Sequence, residues 1–110
     1  IEVNVQQVRQ PLFVTLSDGS VRNRYMVHIV NKNEADKVYT IAAQGIPAEA
    51  VDLGSISEVK IRAGKALGIN TKVTLSHELA EHTHEFDFVV TEVGTGEKVN
   101  VHASFNSPKD

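Results

Sequence analysis

Three of the chain's five histidines fall within Ser76-His77-Glu78-Leu79-Ala80-Glu81-His82-Thr83-His84-Glu85, beside three glutamates. Imidazole and carboxylate groups bind transition metals and exchange protons near neutral pH, so chemistry is sought here first. The order suggests the His-Glu-x-x-His motif of zinc proteases, whose histidines stand at i and i+4 on one helical face. His77 and His82 are five apart, about 140° around a helix, and the motif fails. His82-Thr83-His84 is a better candidate. In extended chain, i and i+2 point to one side, a spacing that grips copper, nickel or zinc, with His77, Glu78 or Glu81 as a further donor. His82, His84 and His77 are therefore the candidate metal ligands. The competing reading is a solvated acidic loop between two strands, because residues 76 to 85 hold no Lys or Arg and show no apolar period.

Other reactive side chains are scattered. Met26 and His28 are same-face neighbours on a predicted strand, and a thioether–imidazole pair suits cuprous copper. With Tyr25, Val27 and Ile29 turned inward, the pair lies on the outer face, where an exposed Met and His are commonplace. His102 shares an outer face with Asn100 and Ser104, and the sequence places no acid or nucleophile beside it. Asp18-Gly19 reads as a turn, with Asp capping its own backbone and Gly supplying positive φ. Asn23 and Asn31 flank a long strand, where Asn commonly bonds loop backbone. No Ser/His/Asp order, phosphate loop or nucleophile elbow appears, so no catalytic residue is assigned.

The elements that must position these groups are strands. Val3, Val5 and Val8 mark a first strand or a pair of strand pieces, Leu12 to Leu16 a second extended piece, and Val21 to Val30 a long alternating strand after a tight polar turn at residues 17 to 20. Asn31 to Lys37 is a turn by composition, and Val38 to Ala43 a β-branched and aromatic strand. Gly45-Ile46-Pro47 breaks the ladder, and residues 48 to 58 read as a crossover between sheets. Val59 to Ala63, Leu67 to Leu75 and the run around Phe86, Phe88 and Val90 alternate again. Gly94-Thr95-Gly96-Glu97 is a hairpin loop before Val99, Val101, Ala103 and Phe105, and Asn106 to Asp110 reads as a frayed tail. About seven strands with no long helix predict an all-β, immunoglobulin-like antiparallel sandwich. There is no Trp and no Cys to pin the sheets, so Phe13, Phe86, Phe88, Phe105, Tyr25 and Tyr39 must be the large core pieces.

The 110 residues form one domain, 1–110, and allow a single core. The 41% hydrophobic content argues against wholesale disorder, and a net charge of −3 leaves no electrostatic footprint for nucleic acid or an anionic membrane. Zero cysteines exclude disulfides, thiol catalysis and iron–sulfur ligation within these residues. A chain beginning at Ile1 is expected to be a mature fragment or a domain cut from something larger.

Pro11-Leu12-Phe13, Ser17-Asp18-Gly19, Arg22-Asn23, Tyr25 and Asn31-Lys32 resemble the C-terminal immunoglobulin-like domain of the FixG/CcoG (RdxA) family. Those are membrane-bound iron–sulfur proteins that assist assembly of a haem–copper cytochrome oxidase. The resemblance extends more weakly through Gly45-Ile46-Pro47, Phe86-Asp87-Phe88 and Thr95-Gly96-Glu97. It implies a non-catalytic binding or scaffolding domain at the end of a larger membrane protein, on the periplasmic face of the bacterial inner membrane. It also implies iron–sulfur clusters elsewhere in the parent, a link to copper, and protein partners among oxidase assembly components or the parent's own membrane part. The His-rich stretch departs from the family pattern, so the resemblance gives those histidines no role. A copper-binding domain using His82 and His84 is the alternative, and an adhesive or secretion-associated module a third reading.

Overall fold

The structure, a computed structural model, describes residues 1–54 and 56–108. Its spine is the long alternating strand. Val21, Asn23, Tyr25, Val27 and Ile29 all turn inward and are buried, while Arg22, Arg24, Met26, His28 and Val30 face outward on β3 (Val21–Val30). A period of two with one apolar row is what commits a segment to a half-buried strand. On one side β3 pairs antiparallel with β1 (Glu2–Gln7) and β2 (Val14–Thr15). On the other it pairs over its whole length with β7 (Ala66–Leu75), in the register Val21↔Leu75 to Val30↔Ala66. The two-residue β5 (Val51–Asp52) borders β7 and completes this sheet.

The second sheet runs β6 (Val59–Ile61), β4 (Lys37–Gln44), β8 (Glu85–Glu92), β9 (Lys98–Ser104), again antiparallel throughout. The described residues are thus almost entirely β, in two facing sheets, as the alternation predicted. The extended piece read over Leu12 to Leu16 contributes only the two-residue β2, and the two-residue β5 lies in the stretch read as a crossover, too short to register as periodic.

The core lies between the inward rows. Tyr25 of the first sheet meets Phe86 and Phe88 of the second edge to face, with ring centroids at 5.6 and 5.2 Å, and the two phenylalanines lie 4.9 Å apart. Such pairs add about 0.5–1.5 kcal/mol each beyond the area they bury, and here they bridge the sheets in a chain without disulfides. The Tyr25 hydroxyl donates to the Ser104 carbonyl, and burial pushes its pKa far above the ordinary phenol range. Tyr39 and Phe105 are buried as expected, whereas Phe13 is half-buried and packs against the margin of the core.

Two fully buried asparagines tie loops to this frame. Asn31 Nδ2 donates to the carbonyls of Ala35 and Ile61, both at 2.9 Å, and its Oδ1 accepts from Asn33 N. Asn23 Oδ1 accepts from Asn106 N and Gln7 Nε2, and Asn23 Nδ2 donates to Asn106 O, each at 2.8 Å. Asn106 and Ser107, read from the sequence as a frayed tail, are therefore anchored, Ser107 through its hydroxyl to Ala80 O. Lys109 and Asp110 of that tail lie outside the described residues, as does Ser55 in the crossover.

Turn chemistry follows the residue types. Asp18 Oδ1 accepts from both the backbone and the hydroxyl of Ser20, which holds its carboxyl below the usual range, and Gly19 takes φ +87°. In the β8–β9 hairpin Gly96 has φ +77°. There the buried Glu92 accepts from the Thr95 hydroxyl at 2.8 Å, and its other oxygen lies 3.3 Å from Lys37 Nζ. The Thr95 bond foremost, with Lys37 adding, keeps that carboxylate ionised.

One correction concerns residues 76 to 85, expected to be a loop. They contain the short helix α1 (His77–His82). Ser76 caps it, its hydroxyl accepting from Leu79 N, and Ala80 is its one buried residue. A cap satisfies helix-end donors without any apolar period, so the pattern that marks longer helices never appears.

Candidate functional site

The helix decides the fate of the three candidate ligands. His77 and Glu81, one turn apart, pair at 2.9 Å between Nε2 and Oε1. His82 closes α1, and Thr83 begins the extended exit. The condition for placing His82 and His84 on one side was extended chain through both residues, and the helix runs through His82. His84 is held by its carbonyl, which accepts from Phe105 N at 2.9 Å. Among the described residues no group of three or more His, Asp or Glu is placed to hold a metal ion. Beside α1 lies a pocket of about 260 Å3 lined by Thr15, Gly19, His77, Ala80, Glu81 and Pro108 among others.

His102, which the sequence left alone, has company. Its Cα partner across the β8–β9 ladder is Asp87, and its Nδ1 lies 3.2 Å from Asp87 Oδ1 while Nε2 lies 3.2 Å from Glu85 Oε2. The hydrogen bond to Asp87, aided by the charge of Glu85, raises its pKa above the ordinary 6.5. Asn100 extends the row, donating to Gln44 Oε1 at 3.1 Å. The signal was present in the hairpin. Once Gly94 to Glu97 is taken as its loop, Phe86 and Phe88 inward put Asp87 outward and opposite His102. With both ring nitrogens facing carboxylates, this imidazole is a clamp between two strands.

The opposite outer face, on β1, β3 and β7, is differently furnished. Arg24 and Lys72 are direct cross-strand partners, and neither forms an ion pair within 4 Å among the described residues. With Asp52, Leu53, Asn70 and Val8 they line a groove of about 450 Å3. Like charges placed opposite each other repel, so the ladder here is held by its neighbours. Further along the same row lie Met26 and His28, on the outer face as the alternation required. With Asn4 and Gln6 they line a groove of about 180 Å3. Among the described residues no helix is long and apolar enough to cross a membrane.

Comparison with known proteins places this architecture. The family described as "IG-like fold at C-terminal of FixG, putative oxidoreductase" matches residues 1–108. The chain is 30% identical over 116 residues to Nitrogen fixation protein FixG of Rhizobium meliloti (strain 1021), covering 98% of this chain and 22% of that protein. Protein RdxB of Cereibacter sphaeroides is 50% identical over 42 residues, covering 38% of this chain and 9% of that protein. The chain therefore spans about a fifth of FixG, and the matched stretch about a tenth of RdxB. The crystal structure of FixG-related protein from Vibrio parahaemolyticus superposes with a TM-score of 0.78 at 17% identity, covering 94% of this chain and 93% of that one. That likeness shows the fold, and the match along residues 1–108 shows the kinship: the chain belongs to the family of immunoglobulin-like C-terminal domains of FixG.

Proposed function

We propose that this domain is a non-catalytic binding and scaffolding module of a larger FixG-type membrane protein. The supporting observation is the match of nearly the whole chain to a domain that makes up about a fifth of its relative. Such a proportion suits an appended module whose work is recognition. The fold supports the same reading, because its buried polar groups are spent on structure: Asn23 and Asn31 on loops, Glu92 on a hairpin. In this reading the parent carries membrane spans and cysteine-bound iron–sulfur clusters outside these residues. It acts in copper handling and cytochrome oxidase assembly, and it holds this domain on the periplasmic face of the inner membrane. The groove of Arg24, Lys72 and Leu53 is the surface best suited to a protein partner, since unpaired cations beside an apolar wall attract acidic side chains.

The test is made in the full-length parent. Arg24→Glu with Lys72→Glu should abolish co-purification with the oxidase assembly components while the domain stays folded. If deletion of the entire domain leaves that association and oxidase maturation unchanged, the scaffolding role is wrong.

A further inference from the structure

Gly68 sits inside β7, where a glycine weakens a strand and needs a reason. Positive φ is not that reason, because Gly68 is absent from the glycines in the left-handed region. The reason is space. A Cβ built on Gly68 would lie 2.9 Å from Met26 Sδ, 2.9 Å from His28 Cδ2 and 3.0 Å from His28 Nε2. The thioether and the imidazole therefore converge on one point above the bare glycine, with sulfur and nitrogen no more than about 6 Å apart. His28 and Gly68 are direct partners across the ladder, and Met26 faces the next position, Asn70.

We infer that Met26 and His28 form a two-donor site for a soft monovalent d10 cation, Cu(I) or its analogue Ag(I). Thioether sulfur selects soft ions and imidazole accepts them, and a d10 cation is satisfied by two ligands. At bond lengths like those of zinc, about 2.3 Å to sulfur and 2.0 Å to nitrogen, one ion spans donors about 4.3 Å apart, so binding requires the two side chains to rotate toward each other over Gly68. The surroundings fit a single charge. Asn4 and Gln6 line the groove with neutral amides, while Arg24 and Lys72, one row along the face, penalise a divalent ion more than a monovalent one. Gly68 supplies the notch in which the two donors meet. The inference stands on these three residues and is independent of the scaffolding role.

Met26 is the chain's one methionine, so a single ε-methyl resonance reports on the site. Titrating the 110-residue chain with Ag(I) should shift that methyl and the His28 ring at one equivalent, with excess Zn(II) leaving both in place. Met26→Leu and His28→Asn should each weaken binding by about 100-fold or more, beyond what loss of a supporting outer partner costs. Gly68→Ala, which keeps both donors but fills the notch, should weaken it by about tenfold, the low end of that range. His82→Ala with His84→Ala should leave it unchanged. An unmoved methyl at stoichiometric Ag(I) overturns the site. So does binding that survives Met26→Leu and disappears with His82 and His84, which moves the metal to the helix end.

Discussion

His28 and His102 are both carried on the outward row of a strand, one on each sheet, and the register of the neighbouring strand gives them opposite characters. Around His102 the β8 ladder sets Asp87 directly across and Glu85 on the diagonal, and both ring nitrogens are taken. Around His28 the β7 ladder sets a glycine, and the β1 ladder sets Asn4. No carboxylate approaches it within 4 Å among the described residues, and its neighbour is a soft sulfur. Two exposed histidines that composition cannot tell apart become a structural clamp and a ligand. The lesson is that cross-strand partners, 15 to 40 residues away in sequence, define a surface histidine's chemistry more than its own strand does.

The largest perturbation would remove what holds the two faces in one molecule. Phe88 carries the second sheet's side of the aromatic bridge to Tyr25, and Phe88→Ala should cost about 3–5 kcal/mol. Urea unfolding followed at the His28 and His102 ring signals should give one common, lowered midpoint. Separate midpoints would mean that the sheets unfold independently and that the comparison joins two unrelated surfaces.

Asn31→Ala comes next. It strands the Ala35 and Ile61 carbonyls and cuts the tie from the end of β3 to β6, at a cost of about 1–3 kcal/mol in the denaturation midpoint. A loss far below this range would mean that water replaces the amide and that the loop is held otherwise.

The clamp itself makes a pH prediction. The raised folded-state pKa of His102 means that protonation favours the folded chain. Its contribution is fully present below about pH 6.5, the unfolded value, and is lost as pH rises through the higher folded-state pKa. His102→Gln should flatten that part of the stability profile, and Asp87→Asn should bring the His102 pKa down in an NMR titration. High salt should shrink the effect, because the pair is exposed. A His102 that titrates as in a model peptide would mean that Asp87 and Glu85 do not hold it as a clamp.

Gly68→Ala is the smallest change in stability, within about 1 kcal/mol, because the atoms it meets are ends of movable side chains and alanine suits a strand no worse than glycine. Thermal unfolding checks this. A large destabilisation would mean that Met26 and His28 are packed rigidly and cannot rotate toward a cation.

The residues that alternate told their own story. Val21 to Val30 appears in the structure with the inward row the pattern assigned, and Tyr25, Phe86 and Phe88 are core pieces as predicted. What escaped the sequence was pairing and shortness. Asp87 and His102 are fifteen residues apart and meet through the ladder alone, and Met26 and Gly68 are farther still. The α1 helix has six residues, one of them buried, so it carries a cap and no period. Leu67 continues the alternation of β7 but is 44% exposed although its ladder partner Ile29 is fully buried, and β5 borders β7 only at Val73 and Lys72. Periodicity reports which side a residue faces, and it is silent on what waits there.

The most direct test of the central contrast is one Ag(I) titration of the uniformly 13C,15N-labelled chain, read at the Met26 methyl and at all five histidine rings together. The account predicts that Met26 and His28 shift in step to a one-to-one endpoint while His102, between its two carboxylates, stays where it is. Movement of His102, or of His82 and His84, with Met26 unshifted would contradict it.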